Sequence, residues 1–157
     1  MNKAAPNVTI APLQTVDEMD WRGLWGAYQT FYEVSHSEAV HASTWARLLD
    51  PFESVHGAIA RIDDRTHTAV GLVHFIYHRT CWDIADTCYL QDLYVTEATR
   101  GSGVGRALIA YVVAQAQTWG SGRVYWLTHH TNVRAIRLYD RVATRTGFTQ
   151  YAIPLGH

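Results

Sequence analysis

A chain of 157 residues, 48% of them hydrophobic and with a formal net charge of −1, is long and apolar enough for one domain with its own core. It holds no apolar run near the roughly 18 residues that a membrane span needs, and Met1 to Pro6 is short and polar, unlike a secretory leader. The expectation is a single-domain (1–157, core about 8–153), soluble, cytoplasmic protein without membrane or nucleic-acid partners. Cys81 and Cys88 are the only cysteines, too few for a four-thiolate zinc site or a disulfide framework, so two reduced thiols on neighbouring strands and no metal are expected.

Asn7 to Leu13 alternates and reads as a first strand. Trp21, Leu24, Trp25, Tyr28, Phe31 and Tyr32 then recur at helical spacing, an unusually aromatic stripe that ends at Ser35 to Ser37. Leu24 and Phe31 are its expected core positions. Trp45, Leu48, Leu49 and Phe52 mark a second helix, stopped near Asp50-Pro51. Strands follow at His56 to Ile62, Ala69 to His78 and Cys88 to Val95, with a turn at Asp63 to Thr66 and a hairpin loop at Trp82 to Asp86. After a glycine-rich turn, Leu108, Ile109, Val112, Val113 and Ala116 line one side of a helix that Gly120-Ser121-Gly122 ends. Arg123 to Thr128 is another strand. Asn132 is a good cap for a last helix, with Ala135, Ile136, Tyr139, Val142 and Ala143 facing inward, and Phe148 to Leu155 reads as a final strand after Gly147. Linkers are short throughout, so no domain boundary is expected.

Charge is unevenly spread. Met1 to His56 carries seven acids against three bases, Gly57 to Ala98 six against three, and Thr99 to His157 one acid, Asp140, against seven arginines. The asymmetry suggests an anionic partner for the C-terminal part and a cationic one for the N-terminal part.

The turn Thr99-Arg100-Gly101-Ser102-Gly103-Val104-Gly105-Arg106 joins a strand to a helix. Free N–H groups and the helix dipole make such a junction an anion site, and Arg100 and Arg106 can add charge-assisted hydrogen bonds. No lysine follows Gly105, as a Walker A loop requires, and Arg106 stands where a dinucleotide fingerprint needs its third glycine.

Arg100, Gly103 and Gly105 do fit R-x-x-G-x-G, and the chain resembles the GNAT superfamily of acyl-CoA-dependent N-acyltransferases. Tyr89 to Val95 is similar to the strand before that family's loop, Asn132-x-x-Ala135-x-x-Leu138-Tyr139 to its last helix, and Gly147-Phe148 to the start of its final strand. The resemblance runs from about Val8 to Ile153. It implies an α/β, three-layer (α+β) GNAT fold: a mixed, mostly antiparallel sheet of six to seven strands, four helices, and fourth and fifth strands that splay apart around the pantetheine arm of acetyl-CoA.

The same resemblance implies residue roles. Leu93, Tyr94 and Val95 would line the pantetheine, with a Val95 N–H on the developing oxyanion. Gly101, Ser102, Gly103, Val104, Gly105 and Arg106 would wrap the pyrophosphate with Arg100. Asn132, Ala135 and Arg141, with Arg137, would assist on the last helix. The implied reaction is direct attack of a neutral amine on the thioester through a tetrahedral intermediate, with Tyr139 as general acid. Relatives place an acid where this chain has Gln91, which cannot accept a proton. The candidates for the base are therefore Asp92 through water, Glu33, His129, His130, or a water chain; strand alternation points Asp92 away from the face of its neighbour. Trp25, Tyr28, Tyr32 and Glu33, with His36 and Glu38, suit an ammonium by cation–π contact and ion pairing, and Gln91, His129 and His130 complete the expected acceptor site.

The overall pattern most resembles the yeast-type polyamine, histone and D-amino-acid acetyltransferases. A small amine is the expected acceptor: an amino acid, a polyamine or an amine-bearing antibiotic. The alternatives are a protein or peptide amine, a non-catalytic acyl-CoA-binding protein, and an acyl donor other than acetyl-CoA. A homodimer is also implied.

Overall fold

The computed structural model describes residues 7–156; Met1 to Pro6 and His157 lie outside the described residues. Two compact units make up the chain, Met1–Leu127 and Thr128–His157. The first holds β1 (Val8–Pro12), α1 (Glu18–Phe31), α2 (Glu38–Leu49), β2 (Val55–Ile62), β3 (Ala69–His78), β4 (Thr87–Val95), α3 (Val104–Trp119) and β5 (Arg123–Tyr125). The strands form one sheet in sequence order. The first three pairings are antiparallel; β4 and β5 run parallel because α3 carries the chain back between them.

Strand β3 is a nearly unbroken apolar run because both of its faces are covered. On one face Trp21, Leu24 and Trp25 of α1 and Trp45 and Leu48 of α2 pack with Leu13, Ile59 and Leu72. Trp21 is wholly buried, its ring 4.9 Å from that of Trp45. On the other face lies α3. A Cβ on Gly71 would stand 3.0 Å from Leu108 and 3.2 Å from Val104, so the missing side chain is what lets α3 approach. This is the expected α/β arrangement, in three layers.

Several expectations are corrected. Helix α2 begins at Glu38, capped by the Ser37 hydroxyl accepting from the Val40 N–H at 3.4 Å, and Phe52 lies beyond its end, 96% exposed. Phe31 is half exposed rather than core. Cys88 is buried in β4, but Cys81 sits in the exposed 79–86 loop and not on a strand; both are free thiols. The sheet has five strands among the described residues. The segment from Phe148 to Leu155 alternates like a strand yet makes no ladder, and Phe148, Tyr151, Ile153 and Leu155 are exposed. An unpaired strand leaves its backbone groups unsatisfied, so pattern without a partner does not suffice.

Two irregularities shape β4. His74 pairs with Asp92 but Phe75 pairs with Leu90, so Gln91 is an extra residue, a β-bulge. The β4–β5 ladder runs only from Thr87–Arg123 to Tyr89–Tyr125, while β4 continues to Val95. Beyond it the Thr96 N–H donates to the Val70 carbonyl at 2.9 Å, so by alternation the Tyr94 backbone bonds to β3, and that of Leu93 and Val95 faces away from it.

The second unit contains α4 (Val133–Val142). The Asn132 side chain accepts from the Ala135 N–H at 3.3 Å, a capping bond, and Arg145 grips Asp140 through two bonds of 2.8 and 2.7 Å. Ala135, Ile136, Tyr139 and Val142 are half-buried, whereas Ala143 is exposed. No helix among the described residues is long and apolar enough to cross a membrane.

Candidate active site

A cavity of about 430 Å³ opens in the first unit between α1, α2 and the sheet. Trp25, Tyr28, Gln29 and Tyr32 line it from α1, Val34 and His36 from the following turn, and Val40, Thr44 and Arg47 from α2. Val55, His74, Ile76, Gln91 and Asp92 form the sheet side. The bulge at Gln91 explains why two successive residues reach one cavity, and it corrects the expectation that Asp92 faces the other way.

Asp92 is held by a buried relay. The Trp21 Nε1–H donates to His74 Nε2 at 2.9 Å. Indole nitrogen can only donate, so His74 Nε2 is an acceptor and the ring proton sits on Nδ1. That Nδ1–H donates to Asp92 Oδ2 at 3.0 Å. His74 is 3% exposed and neutral in this network, so the pair carries one negative charge, aimed at the cavity. Burial first, and then the neighbouring Asp92 carboxylate, push the Tyr28 hydroxyl well above its ordinary value, so it stays protonated as a donor.

Aromatic faces surround this charge. The Trp25 and Tyr28 rings stack at 5.3 Å, Tyr32 meets Tyr28 edge-on at 5.0 Å, and Trp25 meets His74 edge-on at 4.9 Å. Such faces attract ammonium groups. Two carboxylates read as acceptor ligands are placed elsewhere. Glu33 is exposed in the turn after α1, with φ of 56°, and is not among the lining residues. Glu38 is held by Arg22 in two bonds of 3.1 and 2.9 Å. His74 and Arg47 were missed. The signal for His74 is a single histidine inside the apolar run Val70 to Ile76.

The glycine turn lies beyond the upper end of β4. Gly101 and Gly103 adopt φ of 86° and 95°, a region L-residues avoid, and Gly103 is the residue from which α3 starts. The first intrahelical bond runs from Ala107 N–H to the Gly103 carbonyl, leaving the N–H groups of Val104, Gly105 and Arg106 without helical acceptors. Arg106 is exposed in this first turn, where the dipole disfavours a cation unless an anion is bound. Arg100 is turned back: its Nε–H donates to the Val95 carbonyl at 3.0 Å, and its guanidinium lies 5.3 and 5.7 Å from the Phe31 and Tyr94 ring centres. Ser102 is occupied too, its hydroxyl donating to the Thr99 carbonyl at 2.6 Å. These two side chains brace the turn.

In the second unit, Asn132, Ala135, Tyr139 and Arg141 stand on or at the start of α4, and Arg137 and Arg141 are exposed. His129 Nδ1 lies 2.7 Å from the Thr131 hydroxyl, its ring 4.4 Å from that of His130, and both histidines are exposed. No group of three or more metal-ligating side chains occurs among the described residues.

The sequence profile of the acetyltransferase (GNAT) family matches residues 21–143. The chain is 39% identical over 144 residues to the D-amino-acid N-acetyltransferase HPA3 of Saccharomyces cerevisiae, covering 92% of this chain and 89% of that one. It is 29% identical over 111 residues to the thialysine N-epsilon-acetyltransferase of Caenorhabditis elegans, covering 71% and 67%. Among solved structures, AAC(6')-Iy in complex with a CoA bisubstrate analogue superposes with a TM-score of 0.81 at 18% identity, covering 96% and 99%. The chain belongs to the GNAT acetyltransferase family and is an N-acetyltransferase.

Proposed function

We propose that the protein transfers an acetyl group from acetyl-CoA to the primary amine of a small molecule, as one GNAT domain. The observation that carries this reading is the Asp92 carboxylate set among the Trp25, Tyr28 and Tyr32 rings, on the strand that leads into the glycine turn. The family match across residues 21–143 supports one domain, and relatives named for D-amino-acid and thialysine acetylation support a small acceptor.

The donor fits the residues present. Gly101 and Gly103 hold a backbone only glycine takes easily, and the N–H groups of Val104 to Arg106 are free for a pyrophosphate. Leu93 and Val95 turn backbone groups away from β3, where a pantetheine amide would find them. Acetyl-CoA supplies the activated acetyl thioester. The chain's own residues do the rest. The aromatic rings and Asp92 bind the ammonium form of the acceptor, and Asp92 takes the proton that frees the nitrogen lone pair for attack. The Val95 N–H meets the charge that develops on the carbonyl oxygen. The Tyr139 hydroxyl gives its proton to the departing sulfur, the role its place in the family's last-helix motif implies, and the second proton that the acylated nitrogen sheds restores the hydroxyl. His74 is a positioning residue: it touches Asp92, not substrate.

Thiol release from acetyl-CoA over a panel of amines tests this reading, with Asp92→Asn as the control. Transfer to small amines that collapses in the variant supports it; release dependent only on peptide amines would overturn it. A cytoplasmic setting and a homodimer belong to the same reading, and light scattering on the eluted protein checks the second.

A further inference from the structure

Asp92 and Arg47 are the acid and the permanent cation among the groups that line the cavity. Asp92 stands on β4. Arg47 stands in the last turn of α2, three residues after Thr44, which lines the same wall. The histidines at the site, His36 and His74, are spoken for differently: His74 is the neutral link to Asp92, and the His36 ring stacks on Trp25 at 6.3 Å.

Arg47 is the arginine that lines the cavity, and it differs from three others of the first unit. Arg22 pairs with Glu18 and Glu38, Arg61 with Asp17 and Asp20, and Arg79 with Asp86. The Arg47 guanidinium, exposed at the border of the cavity, makes no ion pair or side-chain hydrogen bond among the described residues. A guanidinium fork matches a carboxylate in two parallel bonds.

We infer that Arg47 reads the carboxylate of a zwitterionic acceptor, so that the cavity selects amines bearing an acid group over amides and diamines. The inference rests on the acetyl-transfer reading above and adds the second recognition point. One anion and one cation leave the site without net charge, as a zwitterion requires. A volume of about 430 Å³ holds an amino acid with a side chain of moderate size. A diamine that placed one ammonium at Asp92 would bring its other toward Arg47, where like charges repel.

The test compares phenylalanine, in both stereoisomers, with phenylalaninamide and putrescine as acceptors in the thiol-release assay, for the wild type, Arg47→Met and Arg47→Lys. A charge-assisted pair of this kind contributes about 10- to 100-fold. The wild type is expected to prefer the acid over the amide by that factor in kcat/KM. Arg47→Met is expected to bring the ratio close to one, mainly through KM for the acid, and Arg47→Lys to keep part of it. Arg47 is exposed, so the variants fold, and melting curves verify it. Equal use of amide and acid by the wild type, or a ratio that survives in Arg47→Met, would overturn the carboxylate role alone. No turnover of any of the three compounds would overturn the acetyl-transfer reading and this inference with it.

Discussion

Nδ1 of His74 lies 3.0 Å from Oδ2 of Asp92, between residues paired directly across β3 and β4. The Trp21 indole fixes the other side of the ring, so the carboxylate is held by a donor that cannot rotate away. Asp92→Asn keeps the shape and loses the proton acceptor; kcat/KM should fall about 10²- to 10⁴-fold with little change in melting temperature. His74→Phe removes the donor and should lower kcat by about tenfold. His74→Asn, whose side-chain N–H can take the place of Nδ1, should restore part of that loss. A purely structural role for His74 would show as matched losses of melting temperature and activity in both variants, without rescue.

Trp21→Phe separates packing from hydrogen bonding. The variant keeps most of the ring but leaves His74 Nε2 buried without its donor, at a cost of about 1–3 kcal/mol. Urea denaturation should show that loss, and kcat should drop with it because the His74 ring is no longer fixed.

Gly103 and Gly120 make a matched pair. Both have positive φ, 95° and 84°, and at neither would a Cβ meet an atom within 4 Å beyond the adjoining chain. Alanine at either position therefore strains only the backbone, by about 1–2 kcal/mol. Thermal melts should show similar losses. Only Gly103→Ala should also raise KM for acetyl-CoA, since Gly120 ends α3 at its far terminus. Equal KM effects would remove the glycine turn from donor binding.

Burial pushes the Cys88 thiol up from its ordinary 9.0 to about 11. The folded state thus holds this proton more tightly than the unfolded one. The associated stability is fully present below about pH 9 and is lost as pH rises toward 11. At pH 8 a thiol reagent should modify one cysteine per folded chain, the exposed Cys81, and both only in denaturant.

Tyr139→Phe should lower kcat about 10²-fold with KM for both substrates changed less than threefold, measured by thiol release. An unchanged rate would pass the sulfur's proton to another donor.

Local pattern made much of the fold legible. β2 and β4 lie within one residue of the sequence reading, and β3 matches it, because their apolar and β-branched runs are bounded by turn residues. The first turn of α2 was not legible, since Glu38 to Ala42 is largely exposed and offers no apolar period. The candidate site was half legible. Its aromatic wall follows from helical spacing, but the His74 relay joins residues 53 and 18 positions apart and has no local signature. The Gln91 bulge carries no glycine to announce it, and strict alternation therefore misplaced Asp92.

That bulge also makes the cavity's carboxylate portable. With Gln91 and Asp92 both bordering one cavity, an acid can migrate by a single codon along β4 without the strand being rebuilt. The exchange Gln91→Glu with Asp92→Asn moves the acid one residue along β4, and the activity it retains measures how interchangeable the two positions are.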